Sequence, residues 1–409
     1  MQGLIGPLKE LAEFEELCKN KKKDVGMIRV CGCVNSQKSH MMYALGDGCK
    51  YKVIACSSET KAKQIYEEYR FLDSNTYLYP AKDFLFYQAD IRSKELVKQR
   101  MEGIQAVLSG EPVTVVTSLD GFMDHLAPKE SIAEKVLKVQ NDSVLKLDEM
   151  AEKLSVIGYD REVQVEGPGQ FAVRGGILDI YPLTEELPVR IELWGDEVDS
   201  IRTFDVESQR SIENLMDIVI YPAVEFPQNG EKGVSFLDYF PPEDTILFLD
   251  EPVRLVERGQ NIEDEFMEAQ KKRLESGYDL EEEEAKIFPV TEILKKINCY
   301  SSIGFYALGM KCKGLEVRES YEIQAKSVNP YNNSFEMLTQ DLKRLKRNGY
   351  RVILLSGSRT RAKRLAEDLR DYNLSSYYSE DLDREVKPGE IMTAYGYIAE
   401  GYEYPMLKF

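Results

Sequence analysis

Histidine is almost missing from this 409-residue chain. His40 and His125 are its only two, too few for a multi-histidine metal site or for a mechanism resting on a histidine base. Paired cysteines are missing as well. The seven present (Cys18, Cys31, Cys33, Cys49, Cys56, Cys299 and Cys312) are odd in number, scattered, and without the CxxC spacing that holds zinc, so reduced and mostly buried thiols are expected. No apolar run approaches the roughly 20 residues of a membrane span. The start, MQGLIGPLKELAEFEELCKN, lacks the basic end, apolar stretch and small-residue cleavage site of a secretory signal, and a cytoplasmic chain is expected. Positive charge is also short. A net charge of −18 argues against wrapping nucleic acid, which takes clustered Lys and Arg, so any DNA contact has to be local.

What is present is enough sequence for two to four domains, since one hydrophobic core stops growing well below this length. From Val25 to Ser118, apolar runs such as GMIRVCG, YKVIACS, TYLYP and VTVVTS alternate with amphipathic helical stretches, the pattern of a parallel sheet covered by helices. Residues 119–202 change to one helix, LDEMAEKLSVIGY, followed by closely spaced strands, which predicts a small α+β insert. The α/β alternation resumes at DTILFLDE. After the polar stretch SVNPYNNS comes a compact helix–strand–helix–strand unit. The expected architecture is α/β: a parallel-sheet domain split into 1–118 and 203–329 around the insert 119–202, then a second small α/β domain at 330–409. The last residues, YPMLKF, read as a strand cut short, so further domains are expected beyond Phe409.

Two motifs carry possible nucleotide chemistry. Gly32-Cys33-Val34-Asn35-Ser36-Gln37-Lys38-Ser39 follows an apolar strand and precedes a helix, where a phosphate-binding loop of pattern GxxxxGK[ST] belongs. Lys38 and Ser39 fit that pattern. Gln37 stands where the second glycine belongs, and a side chain there hinders the turn of backbone N–H groups toward phosphate, so a degenerate loop is expected. Ile246-Leu247-Phe248-Leu249-Asp250-Glu251 has the form of a Walker B strand delivering two carboxylates to a magnesium site. With the partner loop damaged, capping of the helix beginning at Pro252 is the expected role of Asp250 or Glu251.

The most informative stretch runs from Phe171-Ala172-Val173-Arg174-Gly175-Gly176-Ile177-Leu178-Asp179-Ile180-Tyr181-Pro182 through Leu187-Pro188-Val189-Arg190-Ile191-Glu192-Leu193-Trp194-Gly195-Asp196-Glu197 to Asp205. It resembles the module shared by the excision-repair subunit UvrB and the transcription-repair coupling factors, and the resemblance covers nearly the whole chain. Only about a dozen residues separate Tyr79-Pro80 from the helix near Arg92, too few for the long aromatic hairpin of UvrB. That favours the coupling-factor side of the family. Phe84, Phe86 and Tyr87 in this connection read as packing or loop aromatics rather than a stacking platform for bases.

In the insert, alternation puts Val189, Ile191 and Leu193 on one face of a strand and Arg190, Glu192 and Trp194 on the other. Residues 119–202 hold eighteen Asp and Glu against nine Lys and Arg, so an arginine beside the chain's only tryptophan stands out. Arg and Trp are enriched at interface hot spots, although Arg190 could instead pair with Glu192 or a neighbouring strand. Gly175 and Gly176 read as a bend or a β-bulge. The resemblance implies that the positions matching Arg174, Arg190 and Trp194 recruit UvrA. It further implies that RNA polymerase, DNA, ATP and magnesium are handled by domains outside this segment, which has no cofactor of its own, and that the module contacts an absent carboxyl-terminal domain that restrains the motor. Truncating Arg190 or Trp194 is expected to weaken UvrA binding and leave folding almost unchanged. The competing readings are an active P-loop ATPase or UvrB-type helicase subunit, disfavoured by Gln37 and the missing hairpin, and a purely structural spacer.

Overall fold

The computed structural model describes residues 2–82, 94–227, 230–276, 287–332 and 334–409; Phe84, Phe86 and Tyr87 lie outside them. The chain opens with β1 (Gly26–Cys31), β2 (Tyr51–Cys56), β3 (Thr76–Tyr79) and β4 (Val113–Ser118), separated by helices Asn35–Gly46, Glu59–Leu72 and Lys94–Leu108. It then forms the insert: β5 (Leu137–Gln140), helix Leu147–Val156, β6 (Asp160–Arg161), β7 (Gln170–Arg174), β8 (Ile177–Tyr181), β9 (Val189–Trp194), β10 (Glu197–Phe204), β11 (Ser211–Leu215) and β12 (Asp217–Ile220). It returns as β13 (Thr245–Asp250), helices Pro252–Glu275 and Val290–Ile297, β14 (Ser301–Tyr306) and β15 (Val317–Glu322). The last part holds β16 (Lys326–Ser327), helix Phe335–Arg347, β17 (Val352–Ser356), helix Arg359–Asp371, β18 (Ser376–Tyr378), β19 (Ile391–Tyr395) and β20 (Tyr402–Glu403).

The two halves of the split domain share one sheet of order β15-β1-β14-β13-β2-β4-β3, parallel at every pairing. β4, β13 and β14 are buried along their whole length, which is why they read as continuous apolar runs rather than as alternating ones. The fold is therefore α/β around a parallel sheet, with an α+β insert and a second, smaller α/β unit in which β17, β19 and β18 form a parallel sheet under two helices.

The insert begins and ends later than its sequence boundaries suggest. Phe122, Met123, Leu126, Ala127 and Ile132 are buried in the core of the large sheet, not of the insert. β10 pairs with β11, and β12 folds back on β5, so the insert's strands run to Ile220 rather than stopping at 202. Its six-stranded sheet, β11-β10-β9-β8-β7-β6, carries helix Leu147–Val156 on the inner face through Met150, Ala151 and Leu154. Gly175 and Gly176 are the two-residue turn of the β7–β8 hairpin, with Arg174 paired to Ile177 and Gly175 at φ +59°, not a bulge within a strand.

A buried ionic network anchors the insert to the large domain. The fully buried Arg100 donates from Nε to Glu225 at 2.8 Å, from one terminal nitrogen to Asp124 at 2.7 Å and from the other to the Pro80 carbonyl at 2.7 Å. Lys82 adds contacts to both acids at 3.1 and 3.0 Å. Of the seven thiols, Cys33, Cys49 and Cys56 are buried, whereas Cys299 is exposed, fewer buried than the sequence suggested. Among the described residues no helix is long and apolar enough to cross a membrane.

Candidate docking face and degenerate nucleotide loop

The turn after β1 has the position of a phosphate loop, and its polar groups are already spent. Gly32 sits at φ +80°, and a Cβ there would lie 2.4 Å from the Ile323 carbonyl oxygen. The close passage of the chain after β15 therefore demands this glycine without any phosphate. Gln37 is fully buried: its oxygen accepts from the Val34 N–H and its amide donates to the Tyr404 hydroxyl at 3.1 Å. Ser36 and Ser39 both donate to the buried carboxylate of Glu68, which also accepts from the Ala399 N–H at 3.1 Å. An internal carboxylate thus takes hydroxyl and amide donors of the kind a phosphate would use.

Lys38 lies 2.7 Å from Asp250 Oδ1 and 2.7 Å from Glu251 Oε1. Burial alone would lower its pKa, but the two carboxylates outweigh that and hold it above the ordinary lysine range. The capping expectation holds only for the backbone: Glu251 is at the N-cap position, its carbonyl accepting from the Leu255 N–H at 3.1 Å, but Asp250 turns to Lys38, and Glu251 divides its carboxylate between Lys38 and the Ala307 N–H. Glu251 takes a left-handed backbone (φ +52°) at the end of β13. The segment carrying Ala399, Glu400 and Tyr404 lies across the loop, where Asn35 donates to Glu400 at 2.6 Å and the Glu400 N–H donates to Ser36 Oγ at 3.0 Å. Glu68 and Tyr404 are the residues sequence reading missed. They lie 32 and 367 positions from their loop partners, and no local spacing points to them.

On the insert, the alternation expected in β9 is present: Val189 and Ile191 are buried, Arg190 and Glu192 are half-buried on the other face, and Trp194 is 85% exposed. Arg190 lies directly opposite Asp179 of β8. Its Nε and one terminal nitrogen grip the two carboxylate oxygens of buried Asp179 at 2.7 and 2.9 Å, and it also donates to Gln209 at 2.8 Å. Its guanidinium stacks 4.5 Å from the Phe204 ring centroid. Hydrogen bonding to Asp179 pushes its pKa further up. Arg174 donates to the same carboxylate at 2.8 Å while its side chain stays 47% exposed. One buried acid thus sets the positions of two arginines. Trp194 stands apart at the end of β9, before the turn at Gly195 (φ +67°) that leads into β10. Arg190 is therefore partly a structural residue, because it neutralises a buried carboxylate. Its truncation is therefore expected to cost folding stability, where the sequence alone suggested little change.

Comparison with known proteins places these features. Residues 137–226 match the model of the UvrB interaction domain, a span that agrees with the insert seen here. Over 98% of its length the chain is 24% identical to the transcription-repair-coupling factor of Bacillus subtilis (strain 168), and over 82% it is 23% identical to that of Staphylococcus haemolyticus. The factor of Staphylococcus aureus (strain MRSA252) is 24% identical over 82% of the chain. The chain spans 39% of the Bacillus relative's length and 33% of each of the other two. The resemblance read in the sequence, to the amino-terminal region of these factors, is borne out. A solved structure, of a hypothetical ATP-dependent RNA helicase from Sulfolobus tokodaii, aligns over 96% of this chain and 82% of its own at 10% identity, but with a TM-score of 0.26 it carries no argument.

Proposed function

We propose that this chain is a docking module which recruits UvrA for nucleotide excision repair, built on a nucleotide fold whose phosphate loop no longer serves ATP. The observation that carries the reading is the exposed Trp194 on the same outer face of the insert as Arg174 and Arg190, within the span matching the UvrB interaction domain. Aromatic and arginine side chains on a rigid sheet make strong anchors because little entropy is lost when they are covered.

The ATPase reading is disfavoured by the loop's contacts. An incoming triphosphate would meet three carboxylates, Glu68, Asp250 and Glu251, and would have to displace Tyr404 and its neighbours. RNA polymerase and DNA belong to this proposal only through the longer relatives, as does restraint of a motor by contact with a carboxyl-terminal domain. The test is calorimetric titration of purified UvrA into the chain. Binding by the parent and at least tenfold weaker binding by Trp194→Ala, with an unchanged melt, are expected for a central anchor, since about 1.4 kcal/mol is a factor of ten. No binding by the parent, or equal binding by the variant, would sink the assignment.

A further inference from the structure

The row of residues that includes Trp194 does not stop at β10. Trp194 pairs with Glu197, and on the other side Glu197 pairs with Val144 in an antiparallel bridge. Residues aligned across neighbouring strands project from the same face, so Trp194, Glu197 and Val144 form one transverse row. That face is the outer one, because the adjacent pair Leu193 and Val198 turns into the insert's core. Val144 is 77% exposed, and with Trp194 at 85% it puts two large apolar side chains in one row.

Its loop is fixed in place. Asp142 N–H donates to Val198 O at 3.0 Å, Val198 N–H to Ser143 O at 2.9 Å, and Leu145 N–H to Asp196 O at 2.7 Å. Leu145 packs against the core beneath, which leaves Val144 outward by alternation. An apolar side chain held in water by three backbone hydrogen bonds loses little freedom when a partner covers it.

We infer that Val144 is a second apolar anchor of the docking face, and that the partner surface it fits offers two apolar pockets, one for the indole and one for the valine, on either side of the position facing Glu197. Resting on the docking reading above, the inference gives that partner a chemistry. Glu197, exposed between the two anchors and without an ion pair among the described residues, calls for a cation across from it. The exposed side of Arg174 calls for a carboxylate. Among the coupling factor's partners we commit to UvrA as the occupant, because the row is continuous with Trp194.

The experiment titrates UvrA into the intact chain and into Val144→Asp, Glu197→Lys, Trp194→Ala and a control, Val156→Asp. Val156 is also exposed, but it ends the helix on the opposite side of the sheet. Val144→Asp is expected to bind at least tenfold more weakly with an unchanged melt, and Val156→Asp to bind like the parent. Glu197→Lys is expected to lose severalfold in affinity at low salt and less as salt rises. If Trp194→Ala loses binding while Val144→Asp binds like the parent, the second anchor is refuted and the docking reading stands. If neither loses binding, the docking reading falls and the inference with it. Should Val144→Asp melt early, Val144→Ser replaces it, and parent-like binding by a folded Val144→Ser overturns the inference equally.

Discussion

At the residue scale, Arg190 and Trp194 share one face of β9 and have opposite energetics. Arg190→Ala removes the bidentate partner of Asp179, whose side chain is 2% exposed, and leaves Arg174 as the carboxylate's remaining guanidinium. Removing one of two guanidinium partners from a buried carboxylate costs on the order of 1–3 kcal/mol. Trp194→Ala, by contrast, should shift stability by less than about 0.5 kcal/mol, as exposed substitutions do. Thermal and urea melts of the two variants decide it, and equal stability for both would mean that Asp179 does not need Arg190. His40 gives a pH signature. Buried between the Tyr404 hydroxyl and the Leu4 carbonyl, its ring has a pKa pushed down by burial to about 4, against 6.5 in an unfolded chain. The unfolded state takes up the proton first, so this contribution is full above pH 6.5 and is lost as pH falls toward 4, by about 3 kcal/mol in all. Urea titrations at pH 7.5 and pH 5 should show a smaller drop in His40→Gln than in the parent; an equal drop would refute the linkage.

At the element scale, what joins the insert to the large domain is charge as well as apolar packing. Arg100 on helix Lys94–Leu108 is tied to Asp124, just before the insert, and to Glu225, just after it. Arg100→Met should therefore cost about 3–5 kcal/mol, because among the described residues Lys82 is the cation left to two buried carboxylates. Denaturant melts measure this, and a loss under about 1 kcal/mol would show that the network is dispensable. The loop after β1 is an element converted in place. Restoring the missing glycine with Gln37→Gly should not restore nucleotide binding, because Glu68, Asp250 and Glu251 still occupy Ser36, Lys38 and Ser39. Equilibrium binding of a fluorescent ATP analogue tests it, and micromolar affinity in that single variant would show that the glycine alone was limiting.

At the scale of the whole molecule, the acidic balance sets the nucleic-acid behaviour. With a net charge of −18, binding to duplex DNA at physiological salt should be weaker than the ordinary nonspecific range of about 10⁻⁴ to 10⁻⁶ M. Fluorescence anisotropy of a labelled duplex measures it, and micromolar binding with a steep salt slope would reveal a basic groove. The same scale separates what was legible in the sequence from what was not. Whatever repeats within a few residues could be read: buried strands as apolar runs, the two faces of β9 from period-two alternation, Gln37 in a glycine's place, and the switch in pattern that revealed an insert, though not its bounds. The partners of those residues could not be read, because they are set by where distant segments meet. Lys38 meets Asp250 across 212 positions, Gln37 meets Tyr404 across 367, and Arg100 meets Glu225 across 125. Even Arg190, correctly placed on the outer face, acquired a structural duty only once β8 brought Asp179 opposite it. Local pattern thus determined the elements and their faces through propensity and alternation, whereas tertiary structure decided which polar groups neutralise one another, since a buried charge is settled by whatever the fold places within about 3 Å of it.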